Sequence, residues 1–216
     1  MHIFQVGVAG GVGSRLAKLL VARGDSVSGM FRNEEQRARV AALGATPVIG
    51  DLIRDSIDEL ARKIAGHDAV VFSAGAHGTG TENTTLIDGE GLKKAADAAR
   101  QAGATRFILV SMFPDAGRDS EPREAFEHYM RVKKTADVYL TATDLDRVII
   151  RPGTLTDGAG DGLVTAGLAI EYGDVKRDNV AAFIAAVLHT PELTRTIVEL
   201  TDGETPVEEA ARALVR

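Results

Sequence analysis

The strongest constraint on the fold is the alternation of short apolar segments with helical ones along the chain. Residues 69–73 (AVVFS) and 106–112 (RFILVSM) are apolar at almost every position, as parallel strands are when helices cover both faces of their sheet. Between them, residues 85–102 have the spacing of a helix that stops at Gly103. Repeated strand–helix–strand units join parallel strands through right-handed crossovers. The pattern therefore predicts an α/β fold with a doubly wound parallel sheet.

The same signals divide the rest of the chain into alternating elements. Strands are predicted at residues 2–9, 26–31, 46–49, 69–73, 106–112, 147–150 and 196–200, and helices at 12–23, 34–43, 55–64, 85–102, 122–141, 179–189 and 207–215. We expect the strand order 3-2-1-4-5-6, followed by a late strand near residue 198. Residues 157–162 are rich in Gly and Asp and predict a loop. Residues 1–216 are predicted to form one domain, with residues 154–216 as a small pocket or lid portion.

Composition narrows the class of protein. The 216 residues include no cysteine, so disulfides, thiolate metal sites and cysteine nucleophiles are excluded. The net charge of −6 argues against a dedicated nucleic-acid binder, which needs a basic face. No apolar run approaches the ~18 residues of a membrane span, and the N-terminus lacks the basic region of a secretory signal. We expect a cytoplasmic protein.

A glycine-rich turn lies between the first strand and the first helix. Gly7, Gly10 and Gly13 follow a G-x-x-G-x-x-G spacing. The first glycine allows a tight turn, the second lets a pyrophosphate approach the backbone, and the third lets the helix pack close to the strand. The helix N-terminus then presents unpaired N–H groups to the phosphates. The segment predicts a dinucleotide site, and the alternative is a tight turn with no ligand.

The end of the second strand indicates which dinucleotide is bound. An NAD site has Asp or Glu there to accept hydrogen bonds from the ribose hydroxyls, whereas this chain has Arg32. A guanidinium fits a 2′-phosphate in charge and geometry, so NADP(H) is favoured over NAD(H). Ser14 and Arg15 add candidate phosphate contacts. The alternatives are a solvated Arg32 and a role for Glu34 and Glu35 with NAD, although these two fit the first turn of a helix.

Two further strand ends continue the predicted cofactor site. Residues 50–52 (GDL) follow the third strand, where Asp51 is a candidate acceptor for the adenine amino group. An N-cap or turn role for Asp51 is an equal alternative. Residues 73–76 (SAGA) end the fourth strand, and their small side chains let a dinucleotide lie across the carboxyl edge of the sheet.

These segments, together with residues 129–153, resemble the atypical short-chain dehydrogenases/reductases. More narrowly, the chain resembles small NAD(P)-binding, epimerase-like proteins related to flavin and biliverdin reductases and to regulators of the nitrogen-metabolite-repression type. Residues 151–153 (RPG) are similar to the family's turn after the sixth strand, and residues 176–181 (KRDNVA) to the start of its late helix. The resemblance covers essentially the whole chain and implies an NAD(P)-binding Rossmann fold with cofactor contacts at Pro152 and Gly153.

Tyr129 and Lys133 form a Y-x-x-x-K motif. Residues four apart share one face of a helix, and a cation ~4 Å from the phenol at an effective dielectric of ~20 is worth up to ~4 kcal/mol. We therefore expect Lys133 to lower the pKa of Tyr129, which would act as the acid–base group. The resemblance adds a role for Lys133 in holding the nicotinamide ribose. The alternative is that Tyr129 is a core aromatic residue.

Ser111 is the third candidate catalytic residue. In relatives with a complete trio the hydroxyl lies a residue or two further on, where this chain has Met112 and Phe113. Ser111 is therefore expected to face the nicotinamide as a positioning hydroxyl, with Met112 and Phe113 as an apolar wall for a flat or apolar substrate. The predicted cofactor contacts are Gly7, Gly10, Gly11, Val12, Gly13, Ser14, Arg15, Arg32, Gly50, Asp51, Leu52, Ser73, Ala74, Gly75, Ala76, Ser111, Lys133, Pro152 and Gly153.

Other polar residues carry weaker signals. His77 follows the fourth strand and is more typical of a surface histidine than of a site residue, and His128 faces away from Tyr129. Asp115, Asp119 and Glu121 form an acidic loop that we expect to be solvated. No spacing of His, Asp and Glu predicts a metal site, and no nucleophile motif is present.

The main hypothesis is an NADP-dependent oxidoreductase that passes hydride to a small carbonyl, quinone or flavin-like acceptor. Only residues after ~154 remain for substrate binding, which is too little for the substrate domain of a nucleotide-sugar epimerase. The alternative is a non-catalytic NADP(H) sensor that acts through a protein partner. Homodimers are common in this fold, but no patch of this sequence identifies an interface.

Overall fold

A nine-stranded sheet forms the centre of the molecule. The computed structural model describes residues 1–76, 78–116 and 124–215. The strands are β1 His2–Val6, β2 Ser26–Phe31, β3 Thr46–Ile49, β4 Ala69–Phe72, β5 Arg106–Val110, β6 Asp146–Pro152, β7 Thr154–Thr156, β8 Leu163–Gly167, β9 Asp174–Lys176, β10 Thr196–Asp202 and β11 Thr205–Pro206.

Helices connect the strands and cover both faces of the sheet. They are α1 Gly11–Ala22, α2 Arg37–Ala42 after a 3₁₀ turn at Glu34–Gln36, α3 Ile57–Ile64, α4 Thr81–Asn83, α5 Leu92–Ala102, α6 Glu124–Thr141, α7 Arg177–Leu188 and α8 Val207–Ala213. Between α4 and α5 the chain is π-helical at Thr84–Gly91, where the sequence had predicted one regular helix.

The predicted strand order is confirmed. The sheet runs β3-β2-β1-β4-β5-β6-β10-β8-β11, and every pair from β3 to β10 is parallel. The late strand is β10, which lies beside β6. The sequence did not predict β8 and β11, which extend the sheet in antiparallel pairs, nor the separate pair of β7 and β9. Part of residues 154–216, the portion expected to form a pocket or lid, thus contributes β8 to the central sheet.

The two faces of the sheet bury separate apolar clusters, because successive side chains of a strand point to opposite sides. In β4, Val71 packs with α1 and α7 on one face. Val70 and Phe72 pack with α3 and α5 on the other. This double coverage explains why the central strands are apolar throughout. None of the helices within the described ranges is long and apolar enough to cross a membrane.

Candidate functional site

The turn after β1 can be built only with glycine. Gly7 has a φ of +86°, and a Cβ there would lie 2.7 Å from the Cα of Ala74. A Cβ on Gly13 would lie 2.3 Å from the carbonyl oxygen of Gly7. These close approaches bring the ends of β1 and β4 and the start of α1 together, as the predicted roles of the first and third glycines require.

The N-terminus of α1 is open to an anion. Its N-cap residue is Gly10, which offers no side-chain cap, and the first turn contains no acidic residue. The amide of Ser14 donates to the carbonyl oxygen of Gly10 at 2.9 Å, so the helix ladder begins there. The N–H groups of Gly11, Val12 and Gly13 belong to the first turn, which has no partner inside a helix. Such a terminus suits a phosphate.

A cavity of about 320 Å³ runs along the carboxyl ends of β1 to β4. It brings together most of the predicted cofactor contacts: Gly7, Gly10, Arg32, Gly50, Asp51, Leu52, Ser73, Ala74, Gly75 and Ala76. Lining residues that the sequence analysis missed include Asn33, Gln36, Thr79 and Ile87. The first two lie within four residues after Arg32, and this proximity was the available signal.

Arg32 is exposed at this cavity. Among the described residues it has no ion-pair partner, whereas its neighbour Arg37 is paired with Glu34. Glu34 and Glu35 lie in the 3₁₀ turn, as their alternative role at a helix start predicted, and neither lines the cavity. The mouth of the cavity therefore carries a free guanidinium and no free glutamate.

Asp51 acts as a turn residue. Its Oδ1 accepts a hydrogen bond from the amide of Ile53 at 2.8 Å, and its own amide donates to Oδ2 of Asp55 at 3.1 Å. The structure thus confirms the alternative in which Asp51 is a turn residue. Asp51 also lines the cavity. A contact with adenine remains a prediction.

Several predicted cofactor contacts lie outside the cavity lining. Arg15 pairs with Asp178 at 2.5 Å and with Asp157 at 3.2 Å, because the start of α7 packs beside the start of α1. Gly153 has a packing role, since a Cβ there would lie 1.9 Å from the carbonyl oxygen of Gly173. Pro152 is buried at the end of β6. Contacts from these residues to a cofactor stay predictions.

A chain of polar contacts links the ends of β5 and β6. The hydroxyl of Ser111 donates to Oδ1 of Asp137 at 2.6 Å, and the other oxygen of this carboxylate accepts from Nε and a terminal nitrogen of Arg151 at 3.0 and 2.9 Å. Ser111 and Asp137 are both buried. The sequence analysis did not assign Asp137 a role. The only signal was its position four residues after Lys133, on the same face of the helix.

Lys133 is buried in a second polar group. Its ammonium donates to the carbonyl oxygen of Val110 at 3.0 Å and lies 3.8 Å from Oδ1 of Asp88. Oδ2 of Asp88 accepts from the amide of Ala76 at 2.9 Å, which ties the group to the cofactor cavity. Asp88 lies in the π-helical segment, a local distortion that is frequent at functional sites. Burial lowers the pKa of Lys133, while Asp88 and Asp137 oppose that shift.

The expected lowering of the Tyr129 pKa was wrong. Burial raises the pKa of this phenol above its ordinary range, and the carboxylates of Asp88 and Asp137 raise it further. Burial is the main reason, because it disfavours the charged phenolate, and Asp88, which also lies 3.8 Å from the ammonium of Lys133, adds a negative charge that the sequence spacing did not show. Tyr129 is half-buried and its ring packs against Phe126 at 6.1 Å between centroids. The phenol is therefore protonated at neutral pH.

A second cavity, of about 580 Å³, lies on another face of α6. It is lined by Met112, Pro114, Glu127, Met130, Arg131, Lys134, Asp137 and Arg151. The expectation of an apolar wall is met by Met112 alone, because Phe113 is fully buried against Tyr172, 5.3 Å between ring centroids.

Of the remaining weak candidates, the structure describes His128 and Asp115, and neither lines the two cavities. His128 faces away from Tyr129, as expected, and its Nε2 lies 2.8 Å from the hydroxyl of Thr85. His77, Asp119 and Glu121 lie outside the described residues. Within residues 1–76, 78–116 and 124–215, no three His, Asp or Glu side chains are grouped so that they could hold a metal ion.

Comparison with known proteins agrees with this geometry. Residues 7–191 match the model of a family described as NAD(P)H-binding. The chain belongs to this NAD(P)H-binding family. The matched segment begins at the first glycine of the turn and includes both polar groups at the ends of β5 and β6. The predicted Rossmann-type fold and the resemblance to NAD(P)-binding, epimerase-like proteins are confirmed.

Individual relatives carry several functional names. The chain is 39% identical over 216 residues to a Bacillus subtilis protein named uncharacterized sugar epimerase YhfK, covering 99% of this chain and 100% of that one. It resembles the structure of the oxidoreductase ylbE from Lactococcus lactis with a TM-score of 0.86 at 28% identity, covering 99% and 96% of the two chains. ChuY, described as an anaerobilin reductase from Escherichia coli O157:H7, aligns with a TM-score of 0.78 at 25% identity, covering 95% and 98%.

Proposed function

We propose that this protein is an NADP(H)-dependent oxidoreductase that reduces a small carbonyl, quinone or flavin-like acceptor. The observation that carries the choice of cofactor is the free guanidinium of Arg32 at the mouth of the glycine-built cavity. A guanidinium there matches a 2′-phosphate, and the family's other cofactor form would be better served by a carboxylate.

The residues present fit a dinucleotide. A Cβ at Gly7 or Gly13 would collide with nearby backbone atoms, so the turn keeps its shape only with glycine, and the uncapped start of α1 supplies N–H groups for a pyrophosphate. Arg32 would hold the 2′-phosphate, and the small residues 73–76 at the end of β4 would let the dinucleotide cross the sheet edge. When bound, the reduced nicotinamide supplies a hydride, that is, two electrons and one hydrogen nucleus.

Side chains of this protein would then supply the proton that the reduction requires. The acceptor's carbonyl carbon takes the hydride, and its oxygen takes a proton from the Tyr129 phenol, which regains one from solvent. The phenol is protonated when the acceptor arrives, but its raised pKa makes it a weaker acid than an ordinary tyrosine, so it gives up its proton only as the acceptor oxygen gains negative charge. Lys133 orients the ribose, as the family resemblance implies. The hydroxyl of Ser111 donates its hydrogen bond to Asp137, so its oxygen is left to accept a hydrogen bond and position the substrate.

Some of the similar proteins have names that favour a reductase, and one is named as an epimerase. Two structural neighbours are described as an oxidoreductase and an anaerobilin reductase, and a sequence relative carries an epimerase name. Epimerisation of a nucleotide sugar is disfavoured, because the described residues after Gly153 form strands β7 to β11 and helices α7 and α8, most of which extend or cover the central sheet.

The test is oxidation of NADPH by the purified protein with a panel of quinones, aldehydes and flavins. Turnover of at least one acceptor is expected, and Tyr129→Phe should reduce kcat by ~10²–10⁴-fold, the usual contribution of a positioned acid. The matched control is Tyr139→Phe, because Tyr139 bonds to Asp97 outside both cavities. Tight NADPH binding with turnover of no acceptor would refute the oxidoreductase and support a sensor. Unchanged kcat in Tyr129→Phe would remove the tyrosine from the chemistry.

A further inference from the structure

The cavity lined by α6 residues 127–137 is large enough to bind a small organic molecule. Its volume of about 580 Å³ lies within the ~300–1,000 Å³ of sites for small organic molecules. Asp137 connects this cavity to the polar residues at the ends of β5 and β6. It lines the cavity and accepts a hydrogen bond from the hydroxyl of Ser111. A molecule in this cavity would therefore lie next to the residues proposed to carry out the reaction.

The charges that line this cavity are unequal. Three cationic side chains, Arg131, Lys134 and Arg151, face two carboxylates, Asp137 and Glu127. Arg151 and Asp137 neutralise each other through two hydrogen bonds. The described lining residues thus carry one net positive charge, in a chain whose net charge is −6.

The excess charge is carried by two cations that are free to bind a ligand. Arg131 and Lys134 are three residues apart on α6, so their side chains lie on one face of the helix. Both are exposed, and among the described residues neither has an ion-pair partner, Glu127 included. A guanidinium and an ammonium side by side provide several donors for one oxyanion.

The rest of the lining is apolar and adaptable. Met112 and Met130 contribute flexible thioethers beside Pro114, and Met130 is 9% exposed. Methionine side chains fill irregular space and make favourable contacts with aromatic rings. An apolar body can therefore lie between β5 and α6 while its charged group reaches the two cations.

We propose that this cavity binds an amphipathic anion, an apolar ring system that carries an oxyanion group. The oxyanion contacts Arg131 and Lys134, and the apolar body contacts Met112 and Met130. The identification of this ligand as the hydride acceptor rests on the proposed function. The preference for an anion rests on the cavity alone.

A matched pair of dyes tests the preference. The probes are 8-anilinonaphthalene-1-sulfonate and N-phenyl-1-naphthylamine, which share one ring system and differ in the sulfonate. Fluorescence titrations with NADP⁺ present should show tighter binding of the sulfonate dye to the wild type. In Arg131→Gln/Lys134→Gln, affinity for the sulfonate dye should fall by at least about tenfold, as loss of charge-assisted hydrogen bonds implies, and affinity for the neutral dye should not change.

A control variant separates this effect from net charge. Lys18→Gln/Arg39→Gln removes two exposed cations that line neither cavity, and it should leave both dye affinities as in the wild type. Equal loss of both dyes in the Arg131/Lys134 variant, no loss, or the same loss in the control would overturn the proposal. Failure of every acceptor to oxidise NADPH would refute the proposed reaction while leaving the dye result as it stands.

Discussion

The two halves of the sheet's carboxyl edge differ in whether backbone or side chains form their surface. The half at β1 to β4 is a backbone surface in which glycines and small residues leave a cavity with one free guanidinium at its mouth. The half at β5 and β6 is a side-chain surface in which Asp88, Lys133, Asp137 and Arg151 are packed with Ser111. The first half can hold a ligand by shape and N–H groups, and the second can place protons and charges.

The contrast explains a difference in what each half tolerates. In the glycine half an added methyl group collides with backbone that cannot move away. In the polar half, two acids and two bases compensate one another, so removing one partner leaves an uncompensated buried charge. Changes in the first half should alter cofactor binding, and changes in the second should alter stability and turnover.

The largest expected effect is that of Asp137→Ala. This change leaves Arg151 and the hydroxyl of Ser111 without their partner, and breaking such a buried pair costs ~3–5 kcal/mol. Urea denaturation should show the loss, while the Kd for NADPH of the folded variant should stay within about twofold of the wild type. Asp144→Ala is the control, since Asp144 pairs with Arg100 at the surface, and its midpoint should hardly move. A midpoint for Asp137→Ala equal to that of the control would contradict the account.

Gly7→Ala is expected to disrupt the glycine-built half at β1 to β4. The left-handed conformation costs an alanine ~1–3 kcal/mol, and the collision with Ala74 adds a further ~1–3 kcal/mol. Gly24→Ala isolates the first contribution, because Gly24 has a φ of +89° with nothing within 4 Å of its Cβ position. We expect Gly7→Ala to be less stable than Gly24→Ala and to bind NADPH weakly, whereas Gly24→Ala should bind as the wild type does. Equal stabilities of the two variants would show that the close approach is absent.

Arg32→Gln tests the choice between NADPH and NADH, and we expect it to leave the fold intact. Loss of charge-assisted hydrogen bonds to a 2′-phosphate costs ~1.5–3 kcal/mol, so the Kd for NADPH should rise by about ten- to a hundredfold. The Kd for NADH should stay the same, because NADH has no 2′-phosphate. Arg39→Gln removes an exposed cation of α2 and should change neither value. A parallel weakening of both cofactors in Arg32→Gln would remove the argument for NADP(H).

The smallest effect belongs to an exposed carboxylate outside both halves. Hydrogen bonds from Asn179, and from the amide of Leu163, lower the pKa of Asp161 to about 2 from the 3.8 of an unperturbed Asp. A lowered pKa contributes stability that is present above pH ~3.8 and is lost as pH falls towards 2. Asp161→Asn should therefore lower Tm slightly at pH 6, and the difference should shrink below pH 4. A difference that stays constant with pH would contradict the sign of this shift.

The fold was largely predictable because its signals are local. The central strands are uniformly apolar, and β2 and β3 have the predicted ends, at Ser26–Phe31 and Thr46–Ile49. Strands β8 and β11 were not predicted, because Leu163–Gly167 and Thr205–Pro206 lie beside glycine-containing loop residues and neither is apolar throughout as the central strands are. The π-helical segment at Thr84–Gly91 has the composition of an ordinary helix with glycines, so nothing marked it in advance.

The candidate site divides in the same way as the sheet edge. The glycine half was predictable, because each glycine answers a backbone constraint within a few residues. The polar half was not, since Asp88 and Lys133 are 45 residues apart in sequence and meet only in the folded chain. The predicted direction of the Tyr129 pKa was wrong for a related reason, because the spacing shows the cation at Lys133 but neither the burial of the phenol nor the carboxylates of Asp88 and Asp137.

The most direct test of the central claim is a fluorescence titration of the wild-type protein with NADPH and with NADH. The account predicts tight binding of NADPH and at least tenfold weaker binding of NADH, the difference set by one phosphate on Arg32. Equal affinities would contradict the role of Arg32 and leave the glycine half intact. Binding of neither cofactor would contradict the glycine cradle as a dinucleotide site, and the proposed reductase with it.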